Sequence, residues 1–476
     1  QVRVLPGAPS FMQRRHFLKL AGAAALGAGL PTISLAARTR RLRADVVIVG
    51  AGMAGLSAAH RLWKSGVNSL LVFDARREVG GRIQDQVAGR GITVEGGGEW
   101  VGPTQTAVLG LVQELGLATF KTYDTGTDLV AVGRTVIAPD GGADAEISEA
   151  KAALDQLSLA VPLDSPWLAP DAGVLDGMSV DGWLCGQGFG SVTRLAFDRI
   201  TWSTLGALAK DVSLLYFLFY IHSAGGIDQR AGVSGAAQDS RIVGGPQQIP
   251  QLLAQRLEGR VLKEVPVRSI SQMETGVRVA SDIITVDARF VIVSMLPRDG
   301  ARIAFAPALP PQRQALMRYW PAAKVFKANV AYAEPFWRNR GLSGQVSSIA
   351  DIYSVFDNSP PSGGAGVLEV FSKSGSLPAS KEERIRAILG TLAAYFGPDA
   401  LKPRGYVEKD WGTETWISGC VSPLPCGFLT ALGPALKDPV GRVFWASAET
   451  ADVWNGKMDG AVRAGYRAAD DVLARL

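Results

Sequence analysis

The chain has 476 residues, of which 47% are hydrophobic and 20% charged, an ordinary composition for a globular protein of two or three domains. Its three cysteines are too few for a disulfide framework, and its three histidines (His16, His60 and His222) are too scattered for a histidine-based metal site. Residues 1–43 hold eight basic and no acidic residues; the rest of the chain has 41 basic and 44 acidic residues, a net charge of −3, which argues against nucleic-acid binding.

The basic N-terminal segment has the pattern of an export leader. Arg14 and Arg15 precede a weakly apolar run over 20–30, Pro31 ends that run, and small residues suited to cleavage follow. This looks like a twin-arginine signal, so we expect a leader and linker over residues 1–43 and a periplasmic or otherwise exported protein. The run is too short to span a bilayer, and no transmembrane anchor is predicted. A disordered basic arm is the alternative.

A strand, a helix and a second strand are predicted between residues 45 and 74. The β-branched run 45–49 indicates a buried parallel strand, 56–65 has helical periodicity, and 69–73 is a second apolar run. Three glycines in the spacing Gly-x-Gly-x-x-Gly separate the first strand from the helix, and an acidic residue follows the second strand. Such glycines also occur in ordinary turns, but strand, helix and acid here stand in the order of a dinucleotide-binding unit.

Each residue of this motif has a physical task when the ligand is a dinucleotide. Gly50 allows the tight turn out of the strand, Gly52 lets the backbone approach a pyrophosphate, and Gly55 lets helix and strand pack closely. The helix N-terminus presents N–H groups and its positive dipole end to the phosphates. Asp74 is predicted to accept hydrogen bonds from ribose hydroxyls.

The glycine-rich segments that follow favour FAD over NAD as the ligand. The segment 74–82 resembles the extended fingerprint of FAD-binding amine oxidoreductases. A second loop, 96–105, again resembles that family. The resemblance implies that FAD is bound by five residues of these two segments: Arg76, Gly81, Arg82, Gly97 and Gly98.

The rest of the chain alternates between helical and strand patterns. Helices are predicted over 107–115, 147–159, 249–257, 381–396 and 461–473, and strands over 261–270, 276–280, 289–295 and 324–333. The run 214–221 is almost wholly apolar and rich in aromatic residues. We interpret this run both as a buried helix and as the wall of a substrate pocket.

From Asp45 to the C-terminus the chain resembles the flavin monoamine oxidase family, with specific motifs at both ends and in the middle. The resemblance implies an α/β protein with two domains. A discontinuous Rossmann-like FAD-binding domain would comprise 44–121, 228–316 and 411–476, and an α+β substrate domain 122–227 and 317–410.

Lys327 is the candidate catalytic residue. On a strand, Val325, Lys327 and Asn329 share one face, and a lysine on an apolar strand is unusual because burying it unpaired is costly. The family places a lysine here, bridged through water to flavin N5, which implies that Lys327 positions this water and assists reoxidation. Lys324 is the competing lysine, and an exposed lysine at a sheet edge is the structural alternative.

Cys420 is the candidate for a covalent link to FAD. It follows Trp411 at the interval found in family members that carry a cysteinyl thioether to the 8α carbon, and a thiol is a suitable nucleophile for an electrophilic flavin. The residues after Cys420 depart from the family pattern, and Cys426 is the alternative thiol. A small buried cysteine with no link is the other interpretation.

The segment 446–461 resembles the closing signature of the family. The resemblance implies that Glu449 contacts the ribityl or pyrophosphate part of FAD. A helix starting near Met458 would aim its N-terminus at flavin N1 and C2=O, where its dipole stabilises reduced flavin. Three further predicted cofactor contacts are Val267, Trp411 and Thr450.

Three residues are predicted to shape the substrate pocket: Val421, Trp454 and Lys457. Many monoamine oxidases hold the amine between two tyrosines, and Val421 and Lys457 stand at those positions in this chain, so the aromatic pair is absent. Trp416 or Trp454 is the candidate for a ring. A cation at Lys457 would repel a protonated amine or pair with a carboxylate on the substrate. The alternative is that Lys457 points to solvent.

These features predict an FAD-dependent amine oxidase. It would oxidise an amine C–N bond to an imine, which hydrolyses to an aldehyde or ketone. Oxygen and a periplasmic electron carrier both remain candidates for reoxidising the flavin, and a homodimer remains open. An L-amino-acid or polyamine oxidase is the alternative within the enzyme class. A flavin-stabilised binding module with little turnover is the alternative outside it.

Overall fold

Two large β-sheets carry the fold in the computed structural model, which describes residues 40–89, 91–137 and 141–476. Of the predicted leader and linker, only residues 40–43 are described, and they belong to the first strand; the rest of that prediction lies outside the described residues. Within the described ranges, no helix combines the length and apolar character needed to cross a bilayer.

The strands are numbered in chain order. They are β1 (Arg40–Val49), β2 (Leu70–Phe73), β3 (Asp85–Ala88), β4 (Ile92–Glu95), β5 (Thr119–Lys121), β6 (Thr127–Val132), β7 (Thr135–Ile137), β8 (Ser240–Ile242), β9 (Val261–Leu262), β10 (Val267–Met273), β11 (Gly276–Ser281), β12 (Ile284–Val293), β13 (Ala304–Ala306), β14 (Val325–Tyr332), β15 (Leu342–Ile349), β16 (Ile352–Asp357), β17 (Gly366–Lys373), β18 (Gly405–Asp410) and β19 (Val443–Trp445).

The α-helices are numbered in the same way. They are α1 (Met53–Lys64), α2 (Thr106–Glu114), α3 (Gly141–Ser158), α4 (Ala172–Asp176), α5 (Val180–Gly186), α6 (Ser191–Leu205), α7 (Leu214–His222), α8 (Ile227–Ala231), α9 (Gln248–Arg256), α10 (Pro297–Gly300), α11 (Pro311–Tyr319), α12 (Lys381–Phe396), α13 (Phe428–Leu432) and α14 (Met458–Leu473). Short 3₁₀ helices cover Pro166–Leu168, Ala209–Asp211, Arg338–Arg340, Pro398–Leu401, Gly433–Ala435 and Ala448–Thr450.

The first sheet has the order β13-β10-β11-β12-β1-β2-β9, with β19 also paired to β12. Its centre is parallel: β1 pairs with β12 on one side and with β2 on the other. The second sheet has the order β18-β14-β17-β16-β15-β6-β7. Apart from residues 40–43 of β1, the strands of each sheet fall within the segments predicted for one domain. This confirms the predicted fold class; the domain boundaries themselves stay a prediction.

The prediction of one continuous strand over 261–270 is wrong. The run 261–270 forms two strands, β9 and β10, which lie at different places in the first sheet. Glu264 between them has a left-handed backbone with φ of 59°, and Pro266 lacks the N–H that a continuous strand would need. Local backbone chemistry therefore interrupts the apolar pattern of this run.

Alternation along β1 explains why the first sheet is covered on both faces. Val46 and Ile48 belong to a buried cluster that includes Leu56 of α1 and Val462 of α14. Val47 and Val49 point the other way and belong to a second cluster that extends to α7. The last four residues of β1, Val46–Val49, are therefore buried on both faces and hydrophobic throughout, as their sequence indicated.

The same alternation orients β14 in the second sheet. Phe326, Ala328 and Val330 belong to the buried cluster shared with Leu392 of α12. Lys327 and its neighbours at odd numbers therefore face away from α12. Since β14 is paired on both sides, to β17 and β18, Lys327 does not lie at a sheet edge.

The three glycines after β1 differ in whether the fold itself leaves room for a larger side chain. Gly50 has φ of 108°, and a Cβ there would lie 2.3 Å from the carbonyl oxygen of Ser294. A Cβ on Gly55 would lie 2.0 Å from the carbonyl oxygen of Gly50, so the helix could not approach the strand. Gly52 has ordinary extended backbone, with φ of −80°, and its nearest contact would be an unstrained 3.7 Å. Only the second glycine is free of such a constraint.

We predict opposite results for alanine at two of these positions. Gly55→Ala should unfold or strongly destabilise the protein even without flavin, because backbone blocks the added methyl. Gly52→Ala should change the free energy of unfolding of flavin-free protein by only about 0.5 kcal/mol but lower its affinity for FAD. Denaturant titration and flavin absorbance measure the two quantities. Parent-like FAD affinity in Gly52→Ala would show that no ligand approaches this backbone.

Candidate active site

A cavity of about 320 Å³ is lined by residues from both large sheets. Val49 and Phe73 reach it from the carboxyl ends of β1 and β2, and Lys327 and Phe371 reach it from β14 and β17. Ligands of open α/β sheets bind beside the carboxyl ends of parallel strands, and the volume is in the range of small-molecule sites. The cavity is therefore the candidate active site.

Most of the predicted site residues meet at this cavity. Those that line it are Gly50, Gly52, Asp74, Arg76, Gly81, Arg82, Gly97, Gly98, Val267, Lys327, Trp411, Cys420, Val421, Lys457 and Met458. They come from segments up to 400 residues apart in sequence, roughly, so only the folded chain brings them together.

Four predicted site residues do not line the cavity: Gly55, Glu449, Thr450 and Trp454. Both oxygens of Glu449 accept hydrogen bonds from Arg82, at 2.5 and 3.0 Å, so Arg82 fixes the position of this carboxylate. The predicted contact of Glu449 with FAD stays a prediction. The Thr450 hydroxyl donates to the carbonyl of Ser447. Trp454 is fully buried, and its indole N–H donates to the carbonyl of Thr104. These residues lie outside the cavity wall and contact neighbouring protein groups.

The interpretation of the run 214–221 is half correct. It forms the buried helix α7, as predicted. It does not line the large cavity, so its predicted role as the wall of a substrate pocket is wrong. Its aromatic rings instead pack within the protein, and Tyr220 lies under the guanidinium of Arg230.

The end of the cavity beside α1 fits the dinucleotide part of FAD. The N-cap residue Gly52 has no side chain to occupy the first-turn N–H groups of α1, and Met53 and Ala54 border the cavity. The carboxylate of Asp74 accepts hydrogen bonds from the backbone N–H groups of Ala51 and Arg76, both at 2.7 Å. Those bonds fix its position at the cavity wall and leave it acceptor capacity for a hydroxyl.

Arg82 ties this end of the cavity to the segment that carries Cys420. Its guanidinium donates to both oxygens of Glu449 and, at 2.8 Å, to the carbonyl of Cys420. Burial acts to lower the pKa of Arg82, but the Glu449 carboxylate outweighs it and the pKa is raised. A bidentate, desolvated pair of this kind fixes geometry as well as charge.

The two candidate thiols lie in different environments. Cys420 lines the cavity, whereas Cys426 is exposed and does not. Burial raises the pKa of the Cys420 thiol, while the positive charges of Arg82, Lys327 and Lys457 act in the opposite direction. Among the described cysteines, only Cys420 has access to a cofactor in the cavity.

Lys327 lies at the centre of a buried group of charges. Its side chain is 2% exposed. Nζ donates to the carbonyl of Gly97 at 2.8 Å and to Glu99 at 2.6 Å, and it lies 2.5 Å from Glu369. Burial acts to lower the pKa of Lys327, but the carboxylates of Glu369 and Glu99 outweigh it, and the pKa is raised. The lysine is therefore charged.

Three protein oxygens surround the three N–H groups of the Lys327 ammonium. Two of these groups donate to Gly97 and Glu99, and a carboxylate oxygen of Glu369 lies beside Nζ. The water-positioning role of Lys327 stays a prediction. Lys324, the competing residue, is exposed.

The buried acidic and basic groups around Lys327 have no net charge only if one carboxylate binds a proton. Three buried carboxylates, Glu95, Glu99 and Glu369, face two buried cations, Lys327 and Arg241. Burial, followed by the negative charge of Glu99, raises the pKa of Glu369 well above its usual range, and burial also raises the pKa of Glu99. One proton shared by Glu99 and Glu369 makes the cluster neutral, which is the state that a dry site favours.

Lys457 lines the cavity and does not point to bulk solvent, so the solvent-facing alternative is wrong. It is the N-cap residue of α14. Burial, assisted by the charge of Arg230, lowers the pKa of Lys457 to about 7. Val421 and Trp416 border the cavity as well, so of the two proposed rings Trp416 is the one in place.

Aromatic rings that the sequence did not single out form much of the wall. They are Trp100, Trp202, Tyr353, Phe356 and Phe371. Trp100 packs against Phe356 and Phe371, with ring centroids 4.9 and 6.0 Å away. Glu369 was also missed, although a single acid within the apolar run 367–371 of β17 is a recognisable signal of a buried charge.

We predict that Lys327→Met destabilises the protein by about 3–5 kcal/mol, because it leaves Glu99 and Glu369 buried without their cation. Adding Glu369→Gln should recover part of this loss, and Lys324→Met on the exposed neighbour should cost no more than about 0.5 kcal/mol. Denaturant titration measures these values.

The deficit of Lys327→Met should also depend on pH. The pKa of each buried carboxyl group is higher in the folded than in the unfolded protein, so rising pH above the unfolded pKa favours unfolding. Without the lysine this effect is stronger. The loss of unfolding free energy in Lys327→Met should therefore be larger at about pH 8 than at about pH 5. A deficit that is equal at both pH values would contradict the buried-carboxylate account.

Comparisons with known proteins agree with this geometry. Residues 53–473 match the family model for flavin-containing amine oxidoreductases. AofH of Mycobacterium tuberculosis, named as a candidate flavin-containing monoamine oxidase, is 40% identical over 91% of this chain and 97% of its own length.

Two further proteins extend the comparison. An L-amino acid dehydrogenase of a Synechocystis species is 34% identical over 91% of this chain and 95% of its own. The structure of cyclohexylamine oxidase from Brevibacterium oxydans superposes with a TM-score of 0.85 at 32% identity, covering 91% of this chain and 99% of that one. This chain therefore belongs to the flavin-containing amine oxidoreductase family.

Proposed function

We propose that this protein binds FAD in the large cavity and oxidises the C–N bond of a small amine that enters beside Lys327 and the aromatic wall. One observation carries the proposal: a single cavity joins a dinucleotide-type end, with Gly52 and Asp74, to an end lined by Lys327, Cys420 and aromatic rings. Strongly perturbed buried carboxyl groups beside a ligand cavity favour an enzyme over a binding module.

FAD, when bound, supplies the acceptor for a hydride equivalent from the carbon next to the amine nitrogen. The chain supplies position and environment. The α1 N-terminus and Asp74 suit the dinucleotide, and the start of α14 at Met458 suits the ring system. Trp100, Phe356 and Phe371 keep water out, and the Glu99–Glu369 pair holds one proton beside Lys327.

Anaerobic mixing with a panel of amines tests the proposed reaction. At least one amine with a hydrogen on the carbon beside nitrogen should bleach the flavin absorbance. Its analogue without that hydrogen, such as cumylamine in place of benzylamine, should bind without bleaching because no hydride can leave. If no amine or amino acid bleaches the flavin, the protein is a flavin-stabilised binding module and the proposal fails.

The proposal includes a thioether between Cys420 and FAD. Cys420 is the cavity-lining cysteine of the described chain. Burial raises the pKa of its thiol, and three cations nearby partly offset that effect. We expect flavin to stay on the polypeptide after acid precipitation of the parent and of Cys426→Ala, and to be released from Cys420→Ala. Free FAD in the supernatant of the parent protein would contradict the link.

Export and the electron acceptor belong to the same proposal. Export rests on Arg14, Arg15 and the apolar run that follows them. Cell fractionation of the full chain and of the Arg14→Lys, Arg15→Lys variant tests it, and normal export of the variant would contradict it. Reoxidation of bleached enzyme by oxygen, compared with a periplasmic electron carrier, identifies the acceptor.

The identity of the family leaves the substrate open. The similar proteins are named for monoamines, for cyclohexylamine and for L-amino acids. Those names concern the similar proteins, and the choice for this chain depends on its own cavity residues.

A further inference from the structure

Five cationic side chains line the cavity in the described part of the chain, and four of them are paired. Arg82 pairs with Glu449, and Lys327 with Glu99 and Glu369. Arg76 and Arg302 each have a carboxylate within 3.8 Å. The fifth cation is Lys457, for which the described residues provide neither an ion pair nor a side-chain hydrogen bond.

The residue behind Lys457 adds a second uncompensated charge. Arg230, on α8, is 1% exposed. Its Nη2 donates to the carbonyl of Asn455 at 2.5 Å, and its guanidinium carbon lies 3.4 Å from the ring centroid of Tyr220. Its Nε and Nη1 have no partner among the described residues. Within that same part of the chain no carboxylate pairs with either cation, so this side of the cavity carries excess positive charge.

Lys457 is a partly buried amine at the cavity wall without an anionic partner among the described residues. An anion of the ligand would stabilise its charged form, which burial disfavours. A protonated monoamine cannot supply that anion, and it meets repulsion. We propose that Lys457 anchors a carboxylate of the substrate, so that the preferred substrate is an amine that also bears a carboxylate and an apolar or aromatic body. This inference rests on the proposed amine oxidation.

The remaining walls define the rest of that substrate. Val421 is small and adds no charge, and Trp202, Tyr353 and Trp416 present rings to the cavity. Such walls bury an apolar side chain but give no second ionic contact. Lys327 does not serve as a competing anchor, since two carboxylates already surround it.

Matched substrate pairs test the proposal. Anaerobic flavin reduction should be faster, at low substrate concentration, with phenylalanine than with phenethylamine, and with phenylglycine or 4-(aminomethyl)benzoate than with benzylamine. We expect a preference of about 10- to 100-fold for the acid, the usual value of a charge-assisted hydrogen bond. Lys457→Met should abolish the preference, Lys457→Arg should retain it, and Lys457→Tyr should improve turnover of the simple amines.

Benzoate binding provides a test that needs no turnover. Benzoate should perturb the flavin absorbance of the parent and not of Lys457→Met. Lys457 attracts benzoate only in its charged form, so the affinity for benzoate should fall as pH rises through about 7. The other titratable groups at this wall are Arg230, Arg82 and Cys420. Arginine is not deprotonated in proteins, and Cys420 has no thiol proton once it is linked to FAD.

The outcomes separate this inference from the proposed function. If no amine bleaches the flavin but benzoate still binds through Lys457, amine oxidation fails and the carboxylate site stands. If benzylamine is oxidised as well as the acids and benzoate does not bind, the carboxylate site is overturned. If Lys457→Met shifts the flavin reduction potential and leaves the acid preference unchanged, Lys457 serves the flavin, and the proposal is likewise overturned.

Discussion

The contact of one lysine with two carboxylates holds the candidate site together. Glu99 comes from the glycine-rich loop after β4, Lys327 from β14 and Glu369 from β17. The loop leads from the two-stranded sheet β3-β4 into α2, which packs in the core of the first sheet, and the two strands belong to the second sheet. A single ionic cluster therefore fixes this loop against the second sheet. Burying the charge of Lys327 is costly unless a carboxylate compensates it. The requirement that the lysine keeps these contacts therefore constrains the loop, the strand pairing and the cavity wall together.

The cavity combines two kinds of electrostatic environment. At the dinucleotide end, backbone N–H groups are hydrogen-bond donors and Asp74 is a hydrogen-bond acceptor. The charge of Arg82 is neutralised there by Glu449. At the wall with Lys457 and Arg230, positive charge is left over. Since the rest of the wall is aromatic, the surplus charge is the feature most able to discriminate between ligands of similar size and shape.

Local patterns in the sequence predicted the fold well and the site in part. The glycine spacing, the alternation on β14 and the extents of α12 and α14 each depend on neighbouring residues, so they can be read along the chain. The partners of Lys327 and of Glu449 cannot, because Glu369 and Arg82 reach them from distant segments. Trp454 was misplaced for the same reason: its motif position says nothing about which way a buried ring points.

The position of β19 has a consequence for how the two sheets depend on each other. This strand, Val443–Trp445, completes the parallel centre of the first sheet beside β12, and α14 then packs on α1. Pairing β19 with β12 closes a long loop of the chain, and that loop contains most strands of the second sheet. Closing a long flexible loop costs conformational entropy. Folding of the second sheet shortens the flexible part of this loop, so it favours completion of the first sheet and of the nucleotide-binding end.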